Sequence, residues 1–239
     1  ELKKVNINAL MKSGYDVLGT FYEVFLKYGG DNKQLGIVFT PRHITNFSCE
    51  LIDLNINDKV YDPTCGTGGF LVSAFDEVGR KTKNEEDFEN FRVNGMYGIE
   101  EQDPIIALAI VNMIFRGDGK NNMIEGNCFN KWLYTKSQDG IVKADYEDND
   151  FKGRIPPITK VMMNPPFAKP DSEDKEYKFI GHALKQMQEE GILFSVLPTS
   201  NMVKQGKYLD WRKNSLLREN TLLAVITFPN DLFYPVGVE

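Results

Sequence analysis

Three features of the sequence predict an α/β fold on a mainly parallel sheet. Short apolar runs of strand length alternate with stretches of helical period from about position 59 onward. The first of these strands runs directly into a glycine-rich turn, Tyr61 to Leu71, which reads YDPTCGTGGFL. The fourth ends in a two-proline turn, NPPF, at Asn164 to Phe167. Repeated strand, turn and helix builds a parallel sheet covered on both faces, and ligands in such sheets sit at the carboxyl ends of the strands.

The first strand comprises Lys59, Val60 and Tyr61, and Asp62 closes it. Phe70, Leu71, Ala74, Phe75 and Val78 then recur at helical spacing. Gly66, Gly68 and Gly69 permit positive φ and carry no Cβ, so backbone N–H groups at the helix start can come close to a small molecule. A dinucleotide fingerprint needs glycine where the chain has Leu71, and no Gly-Lys-Ser/Thr follows, so neither pyrophosphate pattern is met. Asp62 can instead accept from a cationic amino group such as S-adenosylmethionine carries. The alternative is a turn that only packs a helix on the sheet.

The 239 residues suit one large α/β domain, with a core that a hydrophobic fraction of 41% can fill. No apolar run approaches a membrane span, so no membrane partner is expected. The net charge of −6 excludes a chain that binds nucleic acid through overall charge. Cys49, Cys65 and Cys128 are far apart, with only His43 and His182 to join them, so neither disulfides nor a metal site are expected. A cytoplasmic protein is the expectation.

In chain order, residues 1–36 read as a short helical N-terminal segment, with Val17, Leu18, Phe21, Val24, Phe25 and Tyr28 as its apolar stripe and Gly29 and Gly30 ending it. Residues 37–239 form the main domain. Thr40 is expected to cap a helix with Pro41 at its first position. Arg80 to Asn94 is charged and reads as a surface insertion or helix extension. Met96 to Ile99 is the second strand, ending in Glu100, which either holds ribose hydroxyls or belongs to a solvated acidic turn with Glu101 and Asp103. Asp103 and Pro104 open a helix to about Phe115, apolar nearly all round and so expected to be sandwiched in the core. Met123 to Gly126 is the third strand, after which Asn127 either meets an adenine edge or simply makes the turn. Trp132 to Pro157 lacks periodicity and reads as a long surface loop.

Lys160 to Met163 is the fourth strand. Pro165 and Pro166 lack N–H groups and force extended geometry before them, so the carbonyls of this turn stay unpaired beside the Asn164 amide. That is a site for an amino group. A helix carrying Tyr177, Ile180, Leu184 and Met187 is expected to stop at Gly191, followed by strand Ile192 to Leu197, a helix around Leu209 to Leu217, and a sixth strand, Leu222 to Phe228. The chain begins with Glu1 rather than Met and ends at Glu239 just beyond Pro235 and Gly237, where another strand is expected, so it reads as truncated.

Taken together, FTP at Phe39 to Pro41, DPTCGTGGFL from Asp62, the strand-end Glu100, NPPF at Asn164 to Phe167 and a later strand ending ITFP resemble the S-adenosylmethionine-dependent amino-methyltransferases of DNA. The resemblance covers nearly the whole chain. It is closest to the modification subunits of type I restriction-modification systems and their fused relatives, in which a helix like DVLGTFYEVFL, Asp16 to Leu26, also precedes the FTP turn. It implies a Rossmann-like methyltransferase fold, with a mainly parallel twisted sheet and helices on both faces. The order of motifs is similar to the gamma arrangement of N6-adenine methyltransferases. At both ends the chain departs from the family, lacking much of the N-terminal helical domain and the last strand with its C-terminal extension.

On this resemblance Phe39, Thr40 and Pro41 line the methionine end of the cofactor with Asp62, Thr64, Gly66 and Gly68, Glu100 takes the ribose, and Asn127 takes the cofactor's adenine, where many relatives have Asp. Asn164 and Pro165 hold the target amine, Pro166 completes the catalytic turn, and Phe167 stacks on a flipped adenine. The implied activity is site-specific N6 methylation of adenine in DNA, with a specificity subunit and a restriction subunit, or fused equivalents, as partners. Two rivals remain. Glutamine-N5 protein methyltransferases share the NPP-aromatic turn but not FTP, and a non-catalytic scaffold subunit would not need the intact turn.

Overall fold

The computed structural model describes residues 40–117, 122–131, 158–167, 173 and 175–229, with the backbone of 135–136 and 142–143. The N-terminal helical segment and Phe39 lie outside the described residues. Five strands form one sheet: β1 (Val60–Asp62), β2 (Met96–Glu100), β3 (Met123–Glu125), β6 (Ile158–Met163) and β7 (Met187–Ser195). Their order is β3-β2-β1-β6-β7, and every pairing is parallel. Two further short strands, β4 (Thr135–Lys136) and β5 (Val142–Lys143), pair antiparallel within the stretch expected to be only loop.

Strand residues alternate between two apolar layers. Val60, Met96 and Met162 face a layer with Ile44, Leu71, Val78 and Phe91, whereas Tyr61, Tyr97, Ile99 and Val161 face Phe179 and Ile180. The first layer is built by α1 (Arg42–Leu51), α2 (Gly69–Lys81), α3 (Glu85–Asn94) and α4 (Asp103–Phe115), and the second by α5 (Glu176–Gln186). A sheet buried on both faces by helices is what continuous apolar strands demand.

The chain goes from β1 to β2 on one side and later returns to β6 on the other, so the strand order reverses between β1 and β6. The crevice at that reversal is where open α/β sheets bind ligands. Registers such as Tyr61↔Val161 bring Asp62 and Asn164 to the same carboxyl edge.

Several expectations are corrected. Thr40 does not cap α1: Pro41 occupies the capping position, and no side chain makes the cap bond. Thr40 instead accepts from the Asn164 side chain. The charged stretch becomes a separate helix, α3, capped by Asn84 accepting from the Glu86 N–H at 3.0 Å. The outer side of α4 is not sandwiched. Its Ile105, Ile106, Ala109 and Met113 pack inward, while Ile114 stays half exposed because no second layer covers it among the described residues.

Helix α5 stops at Gln186, not Gly191. Met187 to Gly191 is drawn into β7 through pairing of Met187 with Ile158, at an irregularity where Glu190 has φ 62°. Backbone partners on β6 thus override local helix preference. The later helix starts at Lys207, in α7 (Lys207–Trp211), after the short α6 (Ser200–Val203), and continues through a π turn to Glu219. Leu222 to Phe228 forms no strand, since no edge pairs it among the described residues. Phe228 instead packs its ring on Phe47 at 6.2 Å.

Candidate active site at the strand reversal

The loop after β1 is fixed by backbone and carboxylate contacts. Asp62 Oδ1 accepts from the Thr64 N–H at 3.0 Å, the Cys65 N–H donates to the Ile99 carbonyl at 2.8 Å, and the Gly68 N–H donates to Cys65 at 2.8 Å. Glu100 braces the loop from β2. Its Oε2 accepts from the Gly66 N–H at 3.1 Å and its Oε1 from the Gln102 N–H at 2.9 Å. Each oxygen keeps a second lone pair for a hydroxyl.

The two glycines have different roles. Gly66 has φ +55°, and a Cβ there would enter open space, so its bareness keeps a cradle clear. Gly68 has φ +86°, but a Cβ there would point at Ala109 and Met113 of α4. Its absent side chain serves the left-handed start of α2 and the approach of α4.

Asp62 is buried without an ion-pair partner among the described residues, and burial pushes its carboxyl up to about 8. A buried acid lacking a cation fits a ligand that brings one. Glu100 is raised too, first by burial, with the loop N–H bonds opposing. Burial also drives the Cys65 thiol well above its usual range, which leaves it a packing residue without thiolate character.

Across the crevice, Asn164 follows β6. Its Nδ2 donates to Thr40 Oγ1 at 3.0 Å, and its Oδ1 is buried with no hydrogen-bond partner among the described residues. An orphaned buried acceptor of this kind is costly unless a ligand supplies a donor. Pro165 is buried, Pro166 exposed and Phe167 half buried. Pro41 supports Thr40 by accepting from the Ile44 and Thr45 N–H groups at the start of α1.

Asn127 sits at the same edge, but its amide is engaged locally. Its Oδ1 accepts from the Phe129 N–H at 2.9 Å and its Nδ2 donates to Glu101 at 3.2 Å. Asn112, missed from the sequence, donates from inside α4 to the Thr67 carbonyl at 2.9 Å and pins the far side of the glycine loop. The available signal was a lone amide in an otherwise apolar helix. Among the described residues no three His, Cys, Asp or Glu side chains group as for a metal, and no helix is long and apolar enough to cross a membrane.

The N-6 DNA Methylase family matches residues 13–239. The chain belongs to the N-6 DNA methylase family. Among curated relatives, it is 39% identical over 229 residues to a type II restriction enzyme and methyltransferase, RM.BcgI, from Heyndrickxia coagulans, covering 94% of this chain and 33% of that one. It is 25% identical to the methylase subunit of the type I restriction enzyme EcoEI from Escherichia coli, covering 92% and 44%. The chain thus spans a third to less than half of the length of these relatives. Among solved structures, it superposes on a type I restriction-modification system with TM-score 0.64 and 23% identity, covering 85% of this chain and 41% of that one. The M protein of the type I enzyme EcoKI gives TM-score 0.56 at 22% identity, covering 77% and 38%. These likenesses establish the Rossmann-like fold of S-adenosylmethionine-dependent methyltransferases.

Proposed function

We propose that this N-6 methylase chain is the methyl-transfer domain of a site-specific DNA adenine-N6 methyltransferase of a restriction-modification system. The observation that carries the reading is the Asn164 amide, held on one side by Thr40 and left on the other with a buried oxygen that has no partner among the described residues.

The residues fit S-adenosylmethionine as cofactor. Asp62 offers a buried carboxylate to its ammonium, Glu100 two braced oxygens to its ribose, and Gly66 an open approach. Thr40, Pro41 and Thr64 would flank the methionine end, and Gly68 holds the loop geometry. Asn127 would reach the cofactor's adenine only by giving up part of its local bonding. When bound, the cofactor supplies a methyl group activated by its sulfonium.

The chain's own residues prepare the acceptor. An exocyclic adenine amine is a weak nucleophile because its lone pair is delocalised into the ring. Accepting its hydrogens at Asn164 Oδ1 and the Pro165 carbonyl localises that pair and aims it. Preorganised acceptors in a site closed to water supply electrostatic stabilisation as charge develops on nitrogen. The target base must first leave the duplex, at a cost of a few kcal/mol, and Phe167 offers the ring on which it can stack.

Sequence selection is assigned to a specificity component and cleavage to a restriction component, separate or fused. The Heyndrickxia coagulans relative, named as both restriction enzyme and methyltransferase, supports the fused arrangement. The test is incubation of the native protein with DNA and S-adenosylmethionine labelled in the methyl group, followed by mass analysis of the nucleosides. N6-methyladenine is the expected product. Label in protein glutamine and none in DNA would overturn the reading.

A further inference from the structure

Overall negative charge conceals a local reversal. Between Ile192 and Arg218 the chain has five basic residues and one acid, Asp210, although its net charge is −6. This stretch leaves the carboxyl end of β7 and so lies on the same edge of the sheet as Asn164.

The stretch is held in a defined shape. Buried Asn201 donates to Glu176 Oε2 at 3.3 Å, at the first residue of α5. Arg212 donates from Nη1 to the Asn201 carbonyl at 2.7 Å and from Nη2 to the Lys204 carbonyl at 2.8 Å, so its guanidinium serves the backbone. Tyr177 stacks on Trp211 at 5.6 Å between ring centres and meets Tyr208 edge-on at 5.5 Å. The three rings are each half buried, while Lys204, Lys207 and Lys213 are exposed and make no ion pair among the described residues. Fixed aromatic edges beside uncommitted lysines are the combination that tracks a nucleic-acid strand, with charge on the phosphates and rings against sugars and bases.

We propose that this ridge is a DNA-backbone contact beside the target-base pocket, where Lys204, Lys207 and Lys213 meet phosphates of the strand carrying the flipped base and Tyr208 and Trp211 lie against its sugars and bases. The proposal rests on the methyltransferase reading and gives that site its flanking grip. Lysines act here as point charges, so the ridge positions DNA without reading its sequence. Selection of a site stays with another component.

The experiment titrates the native protein with random-sequence duplex DNA over a range of salt concentrations, comparing the parent with Lys204→Gln/Lys207→Gln/Lys213→Gln and with Asp210→Lys. The triple variant should lower the slope of log K against log salt by about three and weaken binding about 10- to 100-fold at moderate salt. Asp210→Lys should steepen the slope by about one and tighten binding. Cofactor affinity should be unchanged in both, which reports intact folding. If the triple variant fails to fold, the gain in Asp210→Lys still decides. Parent-like slope and affinity in the folded variants would overturn the ridge, even where the parent methylates adenine. Absence of methylation by the parent, with the slopes shifted as expected, would instead strike the catalytic reading. Equal loss of affinity for RNA and for acidic protein would reduce the ridge to a generic anion surface and also overturn it.

Discussion

The side-chain nitrogen of Asn164 donates to the Thr40 hydroxyl at 3.0 Å, joining the turn after the fourth sheet strand in the chain, β6, to the residue just ahead of α1. One half of the amide is thereby anchored, and the other half is left to accept. Thr40 therefore acts as a positioning residue for Asn164. Thr40→Val should cut kcat roughly tenfold, as expected for one lost hydrogen bond of about 1 kcal/mol plus a freed rotor, with cofactor affinity little changed. Thr40→Ser should restore most of the rate. Weakened cofactor binding at unchanged kcat would overturn the positioning role and leave Thr40 only its place beside the methionine end of the cofactor.

Removing the acceptor itself separates chemistry from binding. Asn164→Ala should lower methyl transfer by about 10² or more while the cofactor dissociation constant stays near the parent value. Phe167→Ala should mainly raise KM for DNA through poorer capture of the flipped base. Single-turnover methylation alongside calorimetry measures both, and a parent rate in Asn164→Ala would refute the mechanism.

Two glycine substitutions should fail in opposite ways. In Gly66→Ala the new methyl group faces open space at φ +55°, so the protein should fold with about 1–2 kcal/mol of strain and lose cofactor affinity. In Gly98→Ala the methyl would meet Leu71, Cys65 and Met123 at 2.9–3.0 Å, and overpacking should cost about 1–3 kcal/mol of stability. Thermal melts with and without cofactor distinguish them: the first variant should lose its ligand-induced rise, whereas the second should keep the rise from a lower starting point.

Asp62 makes the site sensitive to pH. Its carboxyl titrates at about 8 in the folded protein against 3.8 ordinarily, so between these values the native state holds a proton that the unfolded chain has released. This group's contribution to stability is therefore fully present below pH 4 and declines as pH rises towards 8. A cationic ligand at Asp62 favours the carboxylate, so binding at pH 6 should release about one proton and tighten up to tenfold per pH unit. Calorimetry in buffers of different ionisation heat counts that proton, and Asp62→Asn should abolish its release.

The fold was legible wherever strand and helix patterns were reinforced by turn chemistry. DPTCGTGG marked β1 and α2, Asp103-Pro104 marked the start of α4, and NPPF marked the end of β6. Failures occurred where pairing partners decide. Met187 to Gly191 reads as helix but lies in β7, where Met187 pairs with Ile158 of β6, and Leu222 to Phe228 reads as strand but pairs with nothing described. At the site, residue types were legible but their mutual contacts were not. Thr40 reads as a cap until the fold brings Asn164 to it over 124 positions, and Asn112, an amide within an apolar helix, shows its role only where it meets Thr67. Local charge was lost in the overall count, which averages the basic 204–218 stretch with the acids elsewhere.

Glu100 gives one oxygen to the glycine loop and the other to the start of α4. The glycine loop is thus held in shape by the protein's own carboxylate before any ligand arrives, and the entropic cost of ordering it falls at folding and not at binding. A substitution such as Glu100→Ala would lose more than a hydroxyl contact. It would turn a rigid receptor into one that must assemble around its guest, so that even ligand fragments lacking the ribose should bind less well.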